Sequence, residues 1–228
     1  MTRALIVVTS TAAFDTIDRA TGVWLSEAVH FHDAMQLNGV AVDYVSPRGG
    51  YVPVDPGSLA ADAMDDACWR HYRDAGFRER YLADSFAPSE IDPDDYDVIY
   101  YAGGHGVMWD LPHDEEIAAV AESIHQRGGV VAGVCHGVVG LLAMRKPDGS
   151  PFVEGLDVAG FSDREEELNG LTKAVPFLAE DALRQAGANY SEGDPYTDHV
   201  VVDADARLVT GQNPQSAAHV AREVLKLL

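Results

Sequence analysis

Gly129-Val130-Val131-Ala132-Gly133-Val134-Cys135-His136-Gly137 decides how this chain is read. The six residues before Cys135 are short, β-branched and uncharged, the pattern of a strand buried on both faces of a parallel sheet. The residues after it, Val138-Val139-Gly140-Leu141-Leu142-Ala143-Met144, predict a helix that stops before Lys146-Pro147. Gly133 and Gly137 let the backbone fold tightly around the cysteine, as in a strand-turn-helix elbow that holds a nucleophile at its tip. A cysteine at a helix N-terminus meets aligned peptide dipoles that favour its thiolate, so a lowered thiol pKa is expected.

Outward from the elbow, strands and helices alternate. Ala4–Val8, Val40–Val45, Asp97–Ala102 and Gly129–Val134 predict strands, and Trp24–Asn38, closed by Gly39, and Glu115–Arg127 predict helices. Leu156–Phe161, His199–Val202 and Arg207–Thr210 are short strand candidates around a helix near Pro176–Ala186. Asn213 as N-cap and Pro214 at the first position predict a terminal helix over Gln215–Leu228. Between Ser46 and Pro93 the pattern breaks into turns and a helical stretch near Asp65–Leu82. The reading is one domain over residues 1–228, a doubly wound, mostly parallel α/β sheet sandwiched by helices, with an inserted lid or cap at about 47–94. Sites in such sheets lie beyond the C-terminal strand ends, where Cys135 falls.

Sixteen Lys plus Arg against 37 Asp plus Glu give a net charge of −21, which argues against nucleic acid or an anionic membrane surface as partner. Cys68 and Cys135 are too few for a disulfide scaffold and point to a reducing compartment. The apolar run after Met1-Thr2-Arg3 is too short for a signal peptide, so a cytoplasmic location is expected.

Glu27 shares a helical stripe with Trp24, Ala28, Phe31 and Met35, where a carboxylate is costly unless protonated, paired or used. A carboxylate reaching water at the stripe's edge is the other reading. Gly103-Gly104-His105-Gly106 follows a strand and offers backbone N–H groups to an oxyanion, or forms a plain turn. His136 is placed as a general base if one of Glu165, Glu166 or Glu167 orients it. His30 and His32, two apart on a helix, point to different faces, so no metal site is read.

With these residues placed, the chain resembles the ThiJ/PfpI superfamily, which has the fold of class I glutamine amidotransferases. The resemblance rests on Thr21–Glu27, Gly103–Gly106, Gly133–Gly137, Gly160–Glu166 and Leu208–Pro214. Cys-His followed by Gly-Phe-Ser-Asp and Glu places it nearest the heat-shock chaperone and glyoxalase III branch. The resemblance implies Cys135 as nucleophile, His136 as triad histidine, Glu166 as its acid with Glu165 as the one-residue alternative, and Glu27 as the acid touching the thiolate. It implies Gly104 and His136 as oxyanion N–H donors, with Gly103 and His105 in the same binding turn. It also implies a homodimer, no metal or organic cofactor, and conversion of methylglyoxal or a related 2-oxoaldehyde to a 2-hydroxy acid through a hemithioacetal. A PfpI-type cysteine amidase or peptidase and a redox-responsive holding chaperone are the alternatives within the superfamily.

Overall fold

The computed structural model describes residues 2–228. Its strands are β1 (Arg3–Val7), β2 (Ala41–Val45), β3 (Val98–Tyr101), β4 (Val130–Val134), β5 (Asp157–Val158), β6 (Asn189–Tyr190), β7 (Val200–Asp203) and β8 (Leu208–Gly211). The main sheet runs β2-β1-β3-β4-β8-β7, parallel from β2 to β8 and closed by the antiparallel β7 at its edge. β7 reverses because a turn of a few residues joins it to β8, too short for a parallel crossover. The strand order turns back between β1 and β3, the position where doubly wound folds open a crevice.

Helices α1 (Leu25–Leu37), α2 (Asp66–Arg73), α3 (Ala75–Phe77), α4 (Val107–Asp110), α5 (Glu115–Gln126), α6 (Asp163–Leu168), α7 (Ala179–Gln185) and α8 (Ala217–Leu227) cover both faces. Side chains alternate across each strand. Ile6, Tyr100 and Ala132 therefore meet Phe31 and Met35 of α1 and Val220 and Val224 of α8. Leu5, Ile99 and Val131 meet Ile117 and Ile124 of α5 and Leu183 of α7 on the other side. Phe31 stacks flat on Tyr100, ring centroids 3.8 Å apart. The inserted segment carries α2 and α3, and its Cys68, Phe77, Tyr81 and Leu82 join the α1 side of the core beside Met35 and Tyr44.

Three local expectations change. Residues Cys135–Leu142 form a 3-10 helix that begins at the cysteine itself, in place of an α-helix from Val138. The tighter winding follows from crowding: a Cβ on Gly137 would fall 2.3 Å from the Tyr101 carbonyl oxygen, and one on Gly140 2.5 Å from the Tyr101 ring. The strand expected over Leu156–Phe161 shrinks to β5, paired with β6 in a separate two-stranded sheet. It ends early because Phe161 turns away to donate its N–H to the Cys135 carbonyl at 3.2 Å. The terminal helix starts at Ala217 after a 3-10 turn at Pro214–Ser216.

Gly137→Ala is expected to cost at least about 3 kcal/mol, since the obstructing atoms are backbone and cannot rotate aside. For a chain of this size that lowers the melting temperature by about 6–12 °C, and a melt within about 1 °C of wild type would show that the elbow has slack.

Candidate functional site

Cys135 stands at the end of β4 with φ 57°, in the left-handed region that a cysteine adopts only when its surroundings impose it. That turn buries the thiol beneath a small cavity of about 120 Å³ lined by Trp24, Gly104, His105, Cys135, His136, Phe161, Asn169, Tyr196, Pro214 and Gln215. No Lys or Arg is in this lining. None of residues 47–94 is either. The expected lid therefore packs on α1 and the β2 edge, held there by its apolar side chains, and the cysteine cavity is walled by other parts of the chain, Phe161, Asn169, Tyr196 and Pro214 among them.

Two groups flank the thiol. On one side His136 Nδ1 lies 3.5 Å from Cys135 Sγ, and His136 Nε2 lies 2.7 Å from Glu166 Oε2. On the other side Glu27 is fully buried, accepts the Gly103 N–H at 2.7 Å through Oε2, and interacts with the Cys135 thiol. Its Oε1 is buried without a nitrogen or oxygen partner. Of the two readings of the α1 stripe, the structure has the buried one.

Burial pushes the Glu27 carboxyl up to about 8, against hydrogen bonds from Cys135 and Gly103 that lower it. Burial also pushes the Cys135 thiol up, and the Glu27 charge adds to that, while the His136 N–H opposes it. The lowered thiol pKa expected from a helix N-terminus is thus corrected. Two acids in one dry pocket keep a proton between them near neutrality, and the thiolate becomes accessible when Glu27 holds that proton.

Glu166 reaches two histidines, because His105 Nε2 lies 2.9 Å from its Oε1. The two rings lie tilted against each other with centroids 4.1 Å apart, and all three side chains are buried. Burial alone would raise the Glu166 carboxyl, but His136 and His105 hold it well below the usual carboxylate range. Burial and the neighbouring His105 lower His136. Donor atoms of His105, His136 and Glu166 are close enough to share a metal, but both imidazole nitrogens point at the carboxylate itself, so the trio is arranged as one anion orienting two rings.

Glu165 faces elsewhere. It accepts Gln212 Nε2 at 2.9 Å, Asn213 Nδ2 at 2.8 Å, the Tyr196 N–H at 2.8 Å and Ser162 Oγ at 2.9 Å. Glu167, the third acid of the run, is exposed. Asn213, expected as a helix cap, makes no side-chain cap bond and turns inward to Glu165. The glycine turn is also only partly as expected. Gly103 has its N–H committed to Glu27, Gly104 lines the cavity at φ 101°, and the His105 ring serves Glu166. The polar pair Gln212-Asn213 directly after a buried strand was the one sequence signal of the Glu165 network. Nothing local marked Asn169 or Tyr196 as cavity walls.

The sequence pattern of the DJ-1/PfpI family matches residues 19–150. Over 210 residues the chain is 34% identical to the glutathione-independent glyoxalase HSP31 of Saccharomyces cerevisiae, covering 88% of this chain and 86% of that protein. The crystal structure of glyoxalase III from Candida albicans superposes with a TM-score of 0.88 at 26% identity, over 100% of this chain and 97% of that one. The rapid encystment protein of 24 kDa from Francisella tularensis superposes with a TM-score of 0.94 at 34% identity, over 100% and 99%.

Two stability measurements follow from this geometry. Glu165→Ala strands three buried donors, and at about 1–3 kcal/mol each the loss is expected to be at least about 3 kcal/mol in urea unfolding; a silent substitution would mean that water replaces the carboxylate. Glu27 has an ordinary value of 4.5 and a folded value of about 8, so the folded chain binds more protons between them. The associated stability is full below the lower value and is lost as pH rises to the upper one. Relative to wild type, Glu27→Gln is expected to gain at least about 2 kcal/mol between about pH 5 and about pH 8.5. A pH-independent difference would place that carboxyl in water.

Proposed function

The chain belongs to the DJ-1/PfpI family, and we propose that it is a glutathione-independent glyoxalase that converts methylglyoxal or another short 2-oxoaldehyde to the corresponding 2-hydroxy acid. The observation that carries the reading is a buried thiol with a proton-holding group on each side, Glu27 and the Glu166-oriented His136, under a small cavity. The names of the relatives above support the same class.

In this reading the proton on Glu27 leaves Cys135 as thiolate, and sulfur forms a bond to the aldehyde carbon while the carbonyl oxygen takes a proton. His136 removes the hydrogen from that carbon, giving an enediol, and a proton returns to the neighbouring carbon, giving a thioester of the 2-hydroxy acid. Water cleaves the thioester, releasing the acid and restoring the thiol. One carbon is oxidised and its neighbour reduced, so no outside electron carrier enters. Glu166 acts as a positioning residue: held ionised, it fixes the His136 ring and stabilises its charged form. The cavity-lining Gly104 and the His136 N–H are assigned to the developing oxyanion. A homodimer in a reducing cytoplasm belongs to the same proposal, and the two free thiols suit such a compartment. Among the described residues no helix is long and apolar enough to cross a membrane.

Lactate formation from methylglyoxal without glutathione is the test. Wild type is expected to turn over and Cys135→Ala to show none. Glu27→Gln should lose at least about 10²-fold in kcat and Glu166→Ala about 10- to 10⁴-fold, the range for proton-transfer and orienting groups. Activity unchanged in Cys135→Ala overturns the covalent route. A wild type that hydrolyses amides, or that only suppresses client aggregation, without forming lactate replaces the proposal by the amidase or the chaperone.

A further inference from the structure

The interface between α1 and the inserted segment carries a second set of metal-competent side chains, built separately from the Cys135 site. His30 comes from α1, and Asp65 and Cys68 from the first turn of α2. His30 Nε2 lies 2.8 Å from Asp65 Oδ2 and 3.9 Å from Cys68 Sγ, and one donor atom from each of the three falls within 4.8 Å of the other two. A tetrahedral zinc ion holds nitrogen, oxygen and sulfur donors about 3.3–3.6 Å from one another. The two His30 distances bracket that range, so small side-chain adjustments bring His30 into it with both partners.

The supporting structure is in place. Asp65 caps α2 by accepting the Cys68 N–H at 2.8 Å through Oδ1, which fixes the carboxylate and aims Oδ2 at His30. Cys68 is fully buried, His30 is half-buried and Asp65 is exposed, so the inner face is closed and the outer one open. That outer face is a cavity of about 570 Å³ lined by His30, Asp65, Asp62 and Met64. Trp24, Pro214 and Gln215 line both this cavity and the smaller one over Cys135. The expectation that α1 holds no metal rested on His30 and His32 facing apart. His32 is indeed turned into the aromatic core, and the partners of His30 come from the segment expected to be a lid.

We propose that His30, Asp65 and Cys68 form a binding site for a divalent metal of the zinc class, with its fourth position open to the outer cavity. One thiolate, one imidazole and one carboxylate select zinc or cobalt over the oxygen-seeking magnesium and calcium. The Cys68 thiol proton leaves to solvent as the ion enters, and His30 binds through Nε2 as a neutral imidazole that carries its N–H on Nδ1. A dication with a thiolate, a carboxylate and a neutral imidazole is a site of zero net charge, which avoids burying an unpaired charge.

Titration of the full-length, metal-stripped chain with cobalt(II) tests this directly. One equivalent is expected to produce the visible bands of four-coordinate cobalt with a thiolate-to-cobalt charge-transfer band in the near ultraviolet, and zinc should bleach both. Cys68→Ser should abolish the charge-transfer band, Cys135→Ala should keep it, and His30→Ala, at a partly exposed position, should weaken binding by at least about ten-fold. The proposal is overturned by a thiolate band that survives Cys68→Ser and vanishes in Cys135→Ala, by an affinity unaffected in His30→Ala, or by a cobalt spectrum with no thiolate band.

Discussion

The turns that follow β3 and β4 touch so closely that neither Gly103 nor Gly137 has room for a side chain. A Cβ on Gly103 would lie 2.8 Å from Glu27 Oε2 and 2.9 Å from the Gly137 nitrogen. A Cβ on Gly137 would collide with the end of β3. This contact forces the chain at Cys135 into a left-handed turn, and it brings the Gly103 N–H onto Glu27. The buried acid, the strained cysteine and the adjacent histidine are thus consequences of one tight backbone approach at the C-terminal edge of the sheet.

Magnitudes explain why the thiol is not simply activated by its position. A charge at the end of a short helix gains about 0.3–1 kcal/mol. Desolvating an ionised group costs several kcal/mol even after the surroundings relax. Burial wins at Cys135, and the proposed chemistry assigns the thiol's proton to a second acid, the α1 carboxyl beside it. The neighbouring carboxylates Glu165 and Glu166 divide their tasks by the same logic. Glu165, surrounded by neutral donors, ties together residues 162, 196 and 212–213, so the loops walling the cavity hang from one side chain. Glu166 meets only imidazoles and orients the two rings.

The sheet was legible because buried parallel strands leave uninterrupted β-branched runs, and β1 to β4 fall within a residue or two of where the sequence puts them. The helix after Cys135 was not, since its winding is set by the Tyr101 ring and carbonyl over thirty residues upstream, which no local pattern reports. Within the site, Cys135 and His136 are adjacent in sequence and visible together, and the α1 stripe exposed Glu27 as anomalous. Glu165 and Glu166 are a different case. Both are buried on α6, and apart from Ser162 their distinct partners are separated from them by 30 to 61 residues, so periodicity cannot assign them. The reach of α2 toward His30 was hidden for the same reason.

The surplus of 21 negative charges has a consequence for the direction of traffic through the cavity. The substrate of the proposed reaction is a neutral aldehyde, which this field neither attracts nor repels. The acid that the proposed reaction forms is an anion in a chamber lined by no lysine or arginine, inside a protein of strongly negative net charge. Product departure is therefore favoured electrostatically, most strongly at low ionic strength, where the repulsion reaches farthest.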